Sequence, residues 1–379
     1  MNYQEYIADI KQRGQFRFIT VTVHDGIYVE IEGVRMLNMA GNDYLGVASD
    51  KALRHGFLES QLVASSELGS SASRLLTGDY PEYQRLEALL CDLYGTQAAL
   101  LFNSGYHANV GILPALSDKR TLILADKLVH ASVIDALKLC DAKWERFAHN
   151  DMAHLRRLVE KYHGVFDQII IVTEAIFSMD GDLAKVAEIV EIKQEFEGVM
   201  VYVDEAHSFG VSGACGLGIC EEIGCISDID ILVGTFGKGI GSMGAFVVCS
   251  ELIREILVNR MRSLIFSTAL PPITVAWSTF VIERLREFAD RRTHLKRLSE
   301  MLATAIGSAS ESNIIPMVVG ENNEALRVAE RLREYGFYAP AVRPPTVPVG
   351  GARIRFSLSA VMTVEDIERL IIAIKEIRG

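Results

Sequence analysis

Four short apolar runs, separated by amphipathic stretches, constrain this chain most. They are TLILA (Thr121 to Ala125), QIIIVTE (Gln168 to Glu174), VMVYVDEA (Val199 to Ala206) and IDILVGTF (Ile229 to Phe236). Between them lie segments with helical periodicity, such as MAHLRRLVEKYHG and LAKVAEIVEIKQEFEG, the second closed by a glycine. Continuous Val, Ile and Leu runs separated by helices predict a mostly parallel sheet covered on both faces. In such sheets, ligands gather beyond the carboxyl ends of the strands. The residues just after each run are therefore the first candidates for function.

Around this core the pattern predicts three regions. Residues 1–45 read as a helix followed by a small β element made of FRFITVTV, GIYVEIEG and RMLNMA. Residues 46–290 carry the alternating runs and form a large domain. Residues 291–379 form a small C-terminal α/β domain with strands at NIIPMVVG and ARIRFSLSA.

A net charge of −11 does not favour nucleic acid or an anionic membrane surface. The first residues, MNYQEYIADIKQRG, carry both charge signs and no apolar signal core. No run is long enough to span a bilayer, so a cytoplasmic protein is expected. None of the six cysteines forms a C-x-x-C pair. Cys215, Cys220 and Cys225 are spaced evenly by five, which fits no zinc pattern, and no metal is expected.

Three strand ends stand out. After VMVYV come Asp204, Glu205, Ala206 and His207. An aspartate ending an apolar strand is costly to bury without a positive partner; a cap or turn is the plainer alternative. After IDILVGTFG comes Lys238, among small and apolar neighbours. A desolvated lysine becomes a nucleophile or a carbonyl-trapping amine, whereas a strand-end lysine elsewhere simply snorkels. After QIIIVTEAIF comes Ser178 in SMDGD, which an ordinary Asp-Gly turn explains equally well. Upstream, Gly105 and Tyr106 in NSGYHAN open a helix whose N-terminus suits a phosphate, although simple capping also accounts for it. His130 stands at another helix start.

Gly239, Gly241 and Gly244 form a G-x-G-x-x-G. A dinucleotide loop needs a helix after it. Here AFVVCS follows, another strand candidate, so a nicotinamide-dependent oxidoreductase is the remote alternative.

Taken with NDYLG, GSSASRLLTG, LFNSGYHAN, HAS, TEAIFSMDGD, DEAHSFGVSG, TFGKGIGSMGA, LIFSTALPP and RIRFSLSA, the chain resembles the α-oxoamine synthases over nearly its whole length. That family has the aspartate-aminotransferase-like fold, the pyridoxal-phosphate-dependent transferase fold type I. The resemblance implies an α/β large domain with a mostly parallel central sheet and a small C-terminal domain. It implies a transferase that condenses an amino acid with an acyl thioester and releases carbon dioxide. The cofactor would be pyridoxal 5′-phosphate, held covalently on Lys238.

Carried over position by position, Lys238, His130 and Asp204 match the catalytic residues, and His207 a ring contact. Gly105 and Tyr106 match the phosphate loop; Ser178 and Thr235 match pocket hydroxyls. Ser267 and Thr268 match a segment that reaches the cofactor from a partner subunit, implying a homodimer with the active site at its interface. Asn42 lies near the amino acid, Arg355 matches the carboxylate clamp with Arg353 on the same strand face, and Arg17 matches an acyl-substrate arginine. Tyr83 replaces a usual histidine, and Gly351 replaces a frequent substrate-contacting threonine. FAHND and AVRPPTVPVGGARIRFSLSA point to L-alanine as the amino acid; family branches using glycine or serine are the alternative. The acyl group could arrive on coenzyme A or on an acyl carrier protein.

Overall fold

The computed structural model describes residues 1–64 and 66–378. It divides into two compact units. One comprises Met1–Ser49, Ser178–Asp182 and the residues from Asp290 onward; the other comprises Asp50–Phe177 and Leu183–Ala289.

In the smaller unit, the helix Tyr3–Gln12 is capped by the Asn2 side chain, which accepts from the N–H groups of Gln4 and Glu5. Strands β1 (Val23–Asp25), β2 (Tyr28–Ile31) and β3 (Val34–Asn38) then form an antiparallel ribbon. The alternation in FRFITVTV predicts a longer strand than is found. Only Val23 joins the ladder, while Phe18, Ile19 and Val21 are exposed. Alternation marks a strand only when a partner strand covers one of its faces.

The larger unit is built on one seven-stranded sheet. Its strands are β4 (Ala98–Phe102), β5 (Thr121–Asp126), β6 (Lys143–Phe147), β7 (Gln168–Glu174), β8 (Val199–Asp204), β9 (Ile231–Thr235) and β10 (Ala245–Cys249). The order across the sheet is β4-β10-β9-β8-β7-β5-β6. The pairings among β5 to β9 are parallel, and β10 runs antiparallel to both its neighbours. All four apolar runs are strands here, buried along almost their whole length. The run AFVVCS is β10, so the three glycines of G-x-G-x-x-G lead into a strand. That removes the dinucleotide-loop reading. Strand β6, KWERF, is half-exposed and polar, the mark of a sheet edge.

The smaller unit resumes with the helix Ala289–Ile306, strands β11 (Ile314–Gly320), β12 (Phe337–Tyr338), β13 (Ala341–Val342) and β14 (Ala352–Ser357), and the helix Val364–Arg378. Strand β12 adds in parallel to β3, so the N-terminal ribbon and the C-terminal residues share a sheet. Strands β11, β14 and β13 form a second, antiparallel sheet in that order. Among the described residues, no helix is long and apolar enough to cross a membrane.

Candidate active site

Four of the five parallel strands of the larger unit end on polar residues: Asp126 on β5, Glu174 on β7, Asp204 on β8 and Thr235 on β9. All four are buried. The apolar body of each strand fixes its register, and the final side chain is left at the carboxyl edge of the sheet, where strand and helix give way to loops.

Asp204 is 6 % exposed. Its Oδ2 accepts from Asn109 Nδ2 at 2.7 Å and its Oδ1 from the Ala206 N–H at 2.9 Å. Asn109, on the helix Gly105–Leu116, is held by the Tyr202 hydroxyl, which donates to its Oδ1 at 2.5 Å. The Asn109 amide also donates to Ser132 Oγ at 3.0 Å. Ser132 Oγ lies 2.8 Å from His130 Nδ1, and the Ser132 N–H donates to that same nitrogen at 3.2 Å. A backbone donor requires an acceptor, so neutral His130 carries its proton on Nε2. Partial desolvation, helped by the Lys238 charge and opposed by Asp204, holds its pKa below the ordinary histidine range. His130 is exposed and is also the N-cap of the helix Ala131–Leu139. Capping and site geometry are therefore one arrangement.

Lys238 Nζ lies 2.9 Å from His207 Nε2. His207 is buried and stands three residues beyond Asp204, so the turn after β8 brings it to the lysine that follows β9. The turn is tight: a Cβ on Gly239 would sit 2.7 Å from the Phe209 carbonyl oxygen. Only a glycine permits that approach.

Glu174 was not among the sequence-derived candidates, yet it belongs here. It is 3 % exposed and in register with Asp204 across the β7–β8 pair. Its Oε1 is buried without a hydrogen-bond partner. Burial, reinforced by the Asp204 charge, drives its pKa well above the carboxylate range, so it is held protonated. The strand-end rule that selects Asp204 after VMVYV selects Glu174 after QIIIVT equally. Asn109 and Ser132 carried no such signal, because their role depends on which helix meets which strand end.

Gly105 and Tyr106 open their helix beyond β4, with Ser104 as N-cap. A Cβ on Gly105 would lie 3.9 Å from Thr235 Oγ1, so the helix start and Thr235 face one small space. Tyr106 is exposed, and its hydroxyl donates to Asp135 at 3.0 Å. Thr268 is exposed; its carbonyl accepts from Asn103 at 2.7 Å, and Ser267 is half-buried. Tyr83 is a core residue whose hydroxyl donates to the Leu270 carbonyl at 3.0 Å, with the Arg74 guanidinium over its ring. FAHND scaffolds the site: His149 Nδ1 and the Asn150 N–H bind Asp126 at 2.9 and 3.0 Å.

The smaller unit gathers a second set. Arg355 Nε donates to the Ser178 carbonyl at 2.6 Å, and the guanidinium also hydrogen-bonds the buried Tyr44 hydroxyl. Tyr44 in turn donates to Asn42 Oδ1 at 3.1 Å. Burial pushes the Tyr44 pKa up to about 12. Arg353 is buried and pairs with the partly exposed Asp180 at 2.6 Å. Its Nε donates to the Gly351 carbonyl at 3.0 Å. A Cβ at Gly351 would lie 3.1 Å from the Pro348 carbonyl oxygen, so a threonine there needs the loop to give slightly. Arg17 is exposed and donates to Thr346 Oγ1 at 2.7 Å.

The large-unit site offers an amine, a buried carboxylate ready for a protonated ring nitrogen, a helix start for a phosphate and an orphaned buried acid. That donor set fits pyridoxal phosphate. Among the described residues, no group of His, Cys, Asp and Glu could hold a metal ion. The chain matches the family model of class I and II aminotransferases over residues 34–374. It is 50% identical over 381 aligned positions to the 8-amino-7-oxononanoate synthase of Haemophilus ducreyi, covering 97% of this chain and 98% of that one. The chain belongs to the α-oxoamine synthases, within the class I and II aminotransferase family.

Solved α-oxoamine synthases superpose on this one along most of its length. The serine palmitoyltransferase of Sphingomonas wittichii matches with a TM-score of 0.90 at 30% identity, over 99% of this chain and 96% of that one. The 8-amino-7-oxononanoate synthase of Francisella tularensis matches with a TM-score of 0.75 at 29% identity, over 90% and 98%. This α-oxoamine synthase therefore has the pyridoxal-phosphate-dependent fold type I, with that cofactor.

Proposed function

We propose that this α-oxoamine synthase condenses L-alanine with a pimeloyl thioester and releases carbon dioxide, giving 8-amino-7-oxononanoate. The observation that carries this reading is the Lys238–His207 contact beside Asp204, in a chain half identical to relatives of that name. When bound, pyridoxal phosphate supplies an electron sink for a carbanion at the α-carbon of the amino acid.

The protein side chains have distinct tasks. Lys238 would hold the cofactor, and its free Nζ would take the α-proton of alanine. Asp204 holds the proton of the ring nitrogen, and Asn109 and Ala206 keep that carboxylate in place. His207 and Ser178 bind the ring's phenolic oxygen. His130 covers the ring and donates its Nε2–H to the thioester carbonyl, where charge develops. Gly105, Tyr106 and Thr235 bind the phosphate. Arg355, with Asn42, holds the carboxylate of alanine.

Arg17 binds the acyl group. Burial, reinforced by the Arg17 charge nearby, lowers the Arg343 pKa. An acyl chain ending in a carboxylate relieves that repulsion; an acetyl or palmitoyl chain does not. This favours the dicarboxylic substrate. We further propose a homodimer in which Ser267 and Thr268 reach the partner's phosphate. The exposed Leu68, Leu76 and Phe266 support a covered surface there.

The test is turnover by the cofactor-loaded protein with pimeloyl-coenzyme A and, in parallel, a pimeloyl-carrier protein. Mass spectrometry identifies the product. L-alanine should give 8-amino-7-oxononanoate with either carrier faster than glycine or serine gives its analogue. A preference for glycine or serine overturns the assignment.

A further inference from the structure

Cys220 and Cys225 take no part in the chemistry above, yet the fold brings them together. The short helix Ile219–Glu222 stops at Gly224, whose φ is +70°. There the Gly224 N–H donates to the Glu221 carbonyl at 3.0 Å and the Cys225 N–H to the Cys220 carbonyl at 2.9 Å. This pair of bonds is a Schellman stop, which sets the side chains of its first and last residues against each other. Apolar residues usually fill those positions; here both are free thiols, and both are buried. The 2.9 Å main-chain bond also limits their α-carbons to about 7 Å apart, near the outer span a disulfide bridges.

The contact reaches toward the site through Glu205, which lies between Asp204 and His207 and is fully buried. The Cys220 N–H donates to its Oε1 at 2.7 Å and the Ile219 N–H to its Oε2 at 3.0 Å. Ser208 Oγ also donates to this carboxylate. The enclosure is close: a Cβ on Gly218 would lie 2.5 Å from Glu205 Oε2.

We infer that Cys220 and Cys225 form an intramolecular disulfide on exposure to a peroxide, and that this bond lowers turnover by shifting the Cys220 N–H from which Glu205 accepts. Cys225 is the attacking sulfur. The neighbouring Cys220 thiol holds the Cys225 pKa below the ordinary thiol value, while that of Cys220 is raised. The Cys225 thiolate attacks one peroxide oxygen, giving a sulfenic acid and, after protonation of the leaving hydroxide, water. The Cys220 sulfur then displaces the hydroxyl as a second water and the S–S bond closes. Two thiols lose two electrons, and one peroxide is reduced to two waters.

The experiment uses the cofactor-loaded protein treated with hydrogen peroxide, alkylated, and cleaved on the carboxyl side of glutamate. Cleavage after Glu221 or Glu222 separates Cys220 from Cys225. The disulfide joins the two fragments until dithiothreitol is added, and Cys215 remains alkylated. Alkylation of both Cys220 and Cys225 after oxidation overturns the inference, as does a bond to Cys215 or a sulfinic acid on Cys225. In parallel, Cys225→Ser should keep basal activity and resist peroxide, whereas the parent should lose activity and regain it with dithiothreitol. Cys225→Ala repeats the arm should the serine variant fold poorly. Equal loss in parent and variants overturns the link to Glu205.

Discussion

The amine of Lys238 lies 2.9 Å from the imidazole of His207. A lysine paired with an acid is locked as a cation. One beside an imidazole faces a neighbour with no fixed negative charge. Asp204, three residues before His207, spends its charge on Asn109 and a backbone N–H instead. The two roles, a reactive amine and a fixed negative charge, are thereby kept on separate atoms.

Asp204→Asn tests the fixed charge. An asparagine offers one oxygen where Asp204 uses two, so either Asn109 or the Ala206 N–H loses its acceptor. The variant should fold with a loss of about 1–3 kcal/mol in chemical denaturation. Its turnover should fall on the order of 10²- to 10³-fold, the scale seen when one preorganised electrostatic contact is removed. Near-normal turnover contradicts the assigned role.

His130 allows capping and chemistry to be separated. His130→Asn retains a side-chain acceptor for the Ser132 N–H, and His130→Ala does not. The alanine variant should be less stable than the asparagine variant by about 1 kcal/mol. Both should lose activity alike, because neither presents an Nε2–H to a carbonyl. Activity in the asparagine variant alone would reduce His130 to a cap.

Glu174 predicts a pH signature. Its folded-state pKa is raised above the ordinary 4.5, so the folded protein binds a proton that the unfolded chain releases. Stability therefore falls as pH rises above that ordinary value, until the folded pKa is passed. Glu174→Gln keeps the neutral shape and removes the linkage. Denaturation of the cofactor-free proteins between about pH 5 and 8 should show the variant gaining on the parent as pH rises. A constant difference between them contradicts a protonated Glu174.

Much of this architecture is legible in the linear sequence because a strand buried on both faces must be apolar throughout. TLILA, QIIIVTE, VMVYV and IDILVGT have no other stable place, and their ends locate Asp204 and Lys238. Edge and partnerless segments carry no such mark. KWERF is polar on a sheet margin, and FRFITVTV alternates without a strand to pair with. Asn109 and Ser132 likewise escape, because their bonds to Asp204 and His130 arise from helix-to-strand packing across distant positions. Arg353 reads from sequence as a substrate arginine or a surface pair; its burial against Asp180 depends on a turn that sequence alone leaves open.

The central claim is that Lys238, and no other lysine, carries the cofactor. Borohydride reduction of the loaded protein followed by peptide mapping tests it directly. The account predicts a pyridoxyl-phosphate modification on the peptide containing Lys238, and a Lys238→Ala protein that traps none and is inactive. Modification of a different lysine, or a Lys238→Ala protein that still yields a reducible cofactor adduct, would contradict it.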